Sequence, residues 1–352
     1  MKDFIIVGQG LAAYVLAHSF KKHNITFTIV GDQNLSSCSR IAAGIWNPVV
    51  FKRATKSWLA DALIAELTVF YSDCSKTFGK KIITHRPIIK PFTEDQEKHL
   101  WLKKSKSDLA GFIDGTTYQD SPRDLAHCNI KNGYGLVQRS GNVDVAAFLD
   151  QSGIYFKEDL VCENFDHSRL QIFPDKVSYS NIEARQIVFC EGHLVKNNPF
   201  FRWIPLKPAK GEIMTLRVPE LNFSDSIFNK NGFLMDVSEG TYRAGATYEW
   251  QDLSEVPTQK GLAELTAKVG EMIDCNFEII KHEAGIRPSS LDRRPIVGRH
   301  PRHGNLFVFN GLGTKGVMLA PYFAKNFVNF YLQKEVLHPD IDLSRFYHLY
   351  EA

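Results

Sequence analysis

The sequence predicts a two-domain protein of the α/β class, and three observations predict it. A short apolar run, a glycine-rich turn and a helical pattern open the chain, a second glycine-rich turn lies between a strand and a helix near its end, and hairpin signals fill the middle. The chain has 352 residues, beyond the roughly 250–300 at which single hydrophobic cores stop growing. Two domains sharing an interface follow.

Phe4-Ile5-Ile6-Val7 is continuously apolar, as a strand buried on both faces of a parallel sheet must be. Gly8-Gln9-Gly10-Leu11-Ala12-Ala13 follows without a spacer, and from Leu11 to His23 small and apolar residues recur at helical spacing, with Lys21 and Lys22 at the end. Ile25 to Val30 completes a βαβ unit. The spacing Gly8-x-Gly10-x-x-Ala13 in that context is the dinucleotide fingerprint of a Rossmann-type domain. Gly8 permits the tight turn, Gly10 lets a pyrophosphate approach the backbone, and Ala13 allows close helix-strand packing, while the helix N-terminus offers N–H groups and partial positive charge. The acid that holds a ribose belongs at the end of the second strand; that position is Gly31, and Asp32, one residue late, is the candidate.

Thr93 to Phe112 reads as a charged surface helix lying on the second domain, with Leu100, Trp101, Leu109 and Phe112 on its apolar side. Arg185 to Cys190 is another buried strand, ending at Glu191-Gly192. Gly211 to Val218, Phe233 to Val237 after the turn Asn231-Gly232, and Thr241 to Thr247 after Ser238-Glu239-Gly240 read as an antiparallel meander. Asn305 to Phe309 is a strand, followed by Gly311, Gly313 and Gly316 and a helix to about Leu332. The apolar runs at the two ends and at Arg185 to Cys190 are of one type and fit one sheet.

Composition narrows the function. Forty-two Lys and Arg against 39 Asp and Glu leave a net charge of +3, too slight to coat a phosphate backbone, so nucleic acid is an unlikely partner. No apolar run reaches the length of about 18 residues that a membrane span needs. The stretch Phe4 to Phe20 is broken by Gly8, Gln9 and Gly10 and lacks a cleavage pattern, so a cytoplasmic protein is expected. The six cysteines form no CxxC pair and stand apart from His at zinc spacing, which predicts reduced thiols and no metal site.

The C-terminal part narrows the family. His282-Glu283-Ala284-Gly285-Ile286-Arg287-Pro288, Asp292-Arg293-Arg294-Pro295-Ile296-Val297-Gly298-Arg299 and Gly311-Leu312-Gly313-Thr314-Lys315-Gly316-Val317-Met318-Leu319-Ala320-Pro321 resemble the closing signature of the D-amino-acid oxidase superfamily, glycine-oxidase-like members above all. Ser39-Arg40-Ile41-Ala42-Ala43-Gly44, Gly141-Asn142-Val143-Asp144, Phe189-Cys190-Glu191-Gly192, Lys210-Gly211-Glu212 and Gly245-Ala246-Thr247 resemble further superfamily segments in the same order along the chain.

The resemblance implies a fold of the glutathione-reductase and D-amino-acid-oxidase type. An FAD-binding domain is assembled from 1–75, 140–200 and 280–352, and a substrate domain of antiparallel α+β type from 76–139 and 201–279. It implies FAD held by Gly8, Gly10, Ala13, Asp32, Arg40, Ala43, Gly44, Val161, Gly192, Gly285, Gly313, Gly316, Val317 and Met318. Family members with covalent flavin use a cysteine near the GxRP turn; the nearest in sequence here is Cys275, ten residues before Gly285, so non-covalent FAD is expected.

The implied reaction is hydride transfer from a substrate carbon to flavin N5. Arg287 matches the arginine that holds a substrate carboxylate, and a guanidinium fork suits that bidentate task. Lys315 stands where relatives often have His or a polar residue, and is a candidate cation for reduced flavin or a substrate anion. Tyr242, Arg243, Tyr248 and Trp250 flank the Gly-Ala-Thr strand and send some side chains into the substrate cavity by alternation. Trp46 and Asn47 are candidates for its wall, while His193 and His282 are read as structural.

The expected function is oxidation of the C–N bond of a small amino acid or N-substituted glycine, with O2 or another group as electron acceptor. Two alternatives stand beside it: action on a carboxymethylaminomethyl group of modified tRNA, for which Lys52, Arg53, Lys56 and Lys103, Lys104, Lys106 would be the basic rim, and non-catalytic flavin binding.

Overall fold

Apolar runs that read as inner strands take inner positions. The structure, a computed structural model, describes residues 1–32, 34, 38–119 and 125–350. In chain order the elements that build the site are β1 (Lys2–Val7), α1 (Leu11–Lys22), β2 (Phe27–Gly31), β3 (Ile182–Phe189), β4 (Ala209–Arg217), β5 (Phe233–Ser238), β6 (Thr241–Gly245), β7 (Glu278–Arg287), β8 (Leu306–Asn310) and α2 (Gly316–Tyr331).

One eight-stranded sheet has a parallel centre. β1 lies between β2 and β3, with Ile6 opposite Ile29 on one side and Val188 on the other; Leu160–Cys162 extends the sheet beyond β2, and β8 pairs in parallel with the second half of β3. The sequence-distant apolar runs thus share one sheet, as their common type predicts. Each buries both faces: Phe4, Ile5, Ile6, Ile29, Val188, Phe189 and Val308 are fully enclosed. At about 1.5–3 kcal/mol per fully buried large apolar side chain, these strands are a main source of the domain's stability.

The second sheet has seven strands in the order β7, β4, β6, β5, Ile227–Asn229, Ile88–Pro91, Tyr134–Val137. It is not wholly antiparallel. Ile227–Asn229 and Ile88–Pro91 run parallel, because the latter comes from an earlier stretch of chain and enters the meander at its far edge. β7 pairs with β4 along 278–287, so the boundary expected at 280 falls inside a strand of this second sheet.

The surface helix expected over 93–112 forms only as Asp95–Lys104. Ser105 Oγ and Ser107 Oγ bond back to the carbonyls of Leu102 and Lys103, and Gly111 adopts a φ of +77°, so side chain and backbone turn the chain where the apolar spacing alone continued it. Trp101 still packs as expected, lying directly over Gly135 of the second sheet.

Candidate active site

A cavity of about 900 Å³ is lined by residues of both sheets. At one end stands the turn between β1 and α1. Gly8 has a φ of +115°, and a Cβ there would meet Cys190 O at 2.7 Å, so the turn closes only on glycine. Gly10 differs: a Cβ would find only Ser39 Oγ, at 3.3 Å, and the space beside it belongs to the cavity. α1 starts with no side-chain cap and no acid in its first turn. α2 starts the same way, and a Cβ on Gly316 would lie 3.0 Å from Leu11 Cδ2. Two helix N-termini therefore adjoin at one cavity; the Leu11 N–H of α1 donates to Ser39 Oγ at 3.1 Å, and the remaining N–H groups and the dipoles favour an anion.

The position expected to carry an acid is closed to any side chain. A Cβ on Gly31 would sit 2.9 Å from Gly8 C and 3.1 Å from Gln9 Cγ, and the Gln9 amide donates to Gly31 O at 2.7 Å. Asp32 lines the cavity one residue later, its Oδ1 accepting from Asn34 N at 2.8 Å.

Of the other sequence candidates, Arg40, Ala43, Gly44, Gly192, Gly285, Gly313, Gly316 and Val317 line the cavity. Arg40 also pairs with Asp150 at 2.9 Å. Ala13 and Met318 are fully buried behind their helix N-termini and touch the site only through packing. Val161 is not among the lining residues, but it pairs with Val30, which is, and packs against the core that holds Val30 and Phe165.

At the far end β4 and β7 pair Gly211 with Gly285 and Ala209 with Arg287, whose side chain lies over Gly211. A Cβ on Gly211 would be 1.9 Å from Arg287 Nη2, so the missing side chain is the seat of the guanidinium. Arg287 Nη1 donates to the carbonyls of Lys210 and Thr247 at 3.2 and 3.1 Å, and its plane lies 4.3 Å from the Tyr248 ring centre. Lys315, largely buried, donates from Nζ to Ser57 Oγ at 2.6 Å, and burial, with Arg294 nearby, lowers its pKa to about 8. Among the described residues neither Arg287 nor Lys315 has a carboxylate partner. Two cations with no ion pair among the described residues face one cavity, with the Glu255 carboxylate near enough to act on Cys38 and His193, and burying charge unpaired is costly. The arrangement is built to receive an anion.

Alternation resolves the remaining candidates. Tyr248 and Asn47 line the cavity, whereas Trp46 is buried with its Nε1 donating to Arg139 O. Tyr242 belongs to the second sheet's core, and Arg243 donates to the carbonyls of Ile41 and Ala42, which ties β6 to the segment carrying Ala43 and Gly44. Trp250 is exposed. His282 lies 2.8 Å from Glu212, away from the cavity lining. His193, read as structural, instead stands in the cavity wall, where burial lowers its pKa and keeps the imidazole neutral. Gln9 and Ser39 stand in the quoted motifs without a role assigned from sequence, and Ser57 was missed, because a single polar residue carries no periodic signal.

Cys38 rather than Cys275 is the cysteine next to the Gly285 turn: a Cβ on Gly285 would be 2.9 Å from its Cα. Burial pushes the Cys38 thiol up to about 12, which leaves it protonated and a poor nucleophile.

The family described as "DAO: FAD dependent oxidoreductase" matches residues 3–329. The chain belongs to that family. FAD is the family's cofactor, and the glycine cradle, the paired helix N-termini and the elongated cavity fit it. Glycine oxidase of Bacillus subtilis (strain 168) is 26% identical over 222 residues, 56% of this chain and 59% of that protein. The chain thus spans somewhat over half the length of the curated relatives it matches first. In fold, glycine oxidase from Geobacillus kaustophilus superposes with a TM-score of 0.77 at 19% identity, over 98% of this chain and 97% of that one. L-proline dehydrogenase from P. horikoshii superposes with a TM-score of 0.80 at 16% identity, over 99% and 98%. Among the described residues no helix is long and apolar enough to cross a membrane.

Proposed function

We propose that this protein oxidises the C–N bond of a small amino acid or N-substituted glycine. The observation that carries the reading is Arg287, seated over Gly211 and without a carboxylate partner among the described residues, in the cavity that also holds the dinucleotide turn. Bound FAD would supply the hydride acceptor for such an oxidation. Gly8, Gly10, Asp32, Arg40, Ala43, Gly44, Gly192, Gly285, Gly313, Gly316 and Val317 would hold it, with Ala13 and Met318 packing behind.

The chain's own part is positioning and electrostatics. Arg287 takes the substrate carboxylate in its fork, and its two carbonyl contacts and Tyr248 fix the fork's plane before substrate arrives. Lys315, held by Ser57, supplies positive charge beside the N-terminus of α2. The small net charge favours a small substrate over a polynucleotide. Lys56 is paired with Asp61 and Lys104 with Asp108, and neither lines the cavity.

Two outcomes test the cofactor side. The protein purifies yellow, and acid precipitation releases the flavin into the supernatant, because neither Cys38 nor Cys275 is poised to attach it; flavin remaining with the pellet contradicts this. Sulfite affinity and the flavin reduction potential both fall as pH rises through about 8, where Lys315 loses its proton and its charge. Lys315→Met lowers both at neutral pH and removes that step. An unchanged potential and sulfite affinity in the variant would place Lys315 outside the flavin's field.

A further inference from the structure

The loop after β6 carries an aromatic pair of which the amino-acid anchor uses one member only. Tyr248 lines the cavity and covers one face of Arg287, and Trp250 stacks beside Tyr248 with ring centres 6.0 Å apart and planes 29° from parallel. The two residues are 51% and 56% exposed, although nothing in the local strand pattern requires large apolar groups at the surface. We propose that Tyr248 and Trp250 form a platform for a planar, π-bearing substituent on the substrate's nitrogen or α-carbon, whose carboxylate is held by Arg287; this rests on the amino-acid reading above.

The loop that carries the platform is pinned, which separates it from a pair of aromatics on an untethered surface loop. Lys210, fully buried in β4, donates from Nζ to Asp252 Oδ2 at 2.6 Å, Ser254 Oγ at 3.2 Å and Val256 O at 2.5 Å, pinning the loop from beneath. Glu249 Oε1 accepts from the N–H groups of Trp250 and Gln251 at 2.8 and 2.9 Å, and Thr258 bonds the buried Glu212. With the backbone held before binding, only the two side chains' torsions are left to order when a flat group lands on them. A spacing of 6.0 Å leaves no room between them, so the substituent lies against their open faces. Arg287 and Tyr248 line the cavity, and Trp250, outside the lining but stacked beside Tyr248, carries the aromatic surface on to solvent. Glycine itself reaches only the inner end of that surface. A substrate with a flat group two or three atoms from its carboxylate uses all of it.

The test is binding to the FAD-loaded protein, read from perturbation of flavin absorbance, with two carboxylates that carry no amine: phenoxyacetate and its saturated counterpart cyclohexyloxyacetate. Stacking beyond area burial is worth about three- to tenfold in affinity, so phenoxyacetate binds tighter by that ratio. In Trp250→Ala the ratio collapses towards one, and in Trp250→Phe most of it returns. Equal affinities in the unmodified protein, or a ratio that survives Trp250→Ala, overturns the platform. Because these ligands cannot be oxidised, the result is independent of whether any amine bleaches the flavin, which is where the oxidation reading itself succeeds or fails.

Discussion

Arg287→Ala raises the apparent constant for a carboxylate-bearing amine by roughly ten- to a hundredfold, the loss of a charge-assisted pair worth about 1.5–3 kcal/mol. Arg287→Lys recovers only part of this, because a point charge cannot reproduce a planar fork already aligned by the carbonyls of Lys210 and Thr247. Gly211→Ala is the sharper form of the same test. Its Cβ would occupy the space of the guanidinium, so it displaces Arg287 while leaving the residue and its charge in place. Flavin content stays normal in all three, and steady-state kinetics with one amino acid measures them. A wild-type concentration dependence in Arg287→Ala removes the carboxylate anchor from this position.

Gly10→Val abolishes flavin binding, whereas Gly8→Ala acts first on the fold. The distinction comes from what each new Cβ meets. At Gly10 the nearest atom is a serine hydroxyl at 3.3 Å, so the protein still folds and the valine fills space the pyrophosphate needs. At Gly8 the Cβ strikes a carbonyl at 2.7 Å on a backbone with φ of +115°, and such strained positions cost about 1–3 kcal/mol. Visible absorbance per protein and thermal midpoints tell the two apart: Gly10→Val is colourless with a midpoint like that of the apoprotein, and Gly8→Ala melts lower even without flavin. Retained flavin in Gly10→Val would reduce the motif to a turn.

The βαβ unit at the start and the strand-turn-helix near the end were legible because their signals are local: a continuous apolar run, glycines at fixed spacing and helical periodicity. The shared sheet followed from strand type. What sequence could not show is set by distant partners. The parallel pairing of Ile227–Asn229 with Ile88–Pro91 joins segments that no local pattern links. Gly211 reads as an ordinary strand residue until Arg287 is seen lying over it from the neighbouring strand. Gly31 looks like a missing acid until Gln9 is found against that position. Val161 was drawn to the site by resemblance, and its strand sets it beside the cavity-lining Val30 rather than in the lining itself. Lys315 was ambiguous between solvent and site; its burial against Ser57 is a tertiary fact, since Ser57 is far from it in the chain.

The most direct test of amine oxidation is an anaerobic titration of the purified, FAD-loaded protein with glycine, D-amino acids and N-alkyl glycines, following loss of the oxidised flavin spectrum. The acceptor for the electrons does not enter, because oxygen is absent. Bleaching by at least one carboxylate-bearing amine, with release of the corresponding keto or aldehyde acid, is the expected result. A flavin that dithionite reduces but that none of these amines bleaches at saturating concentration would contradict the proposed activity.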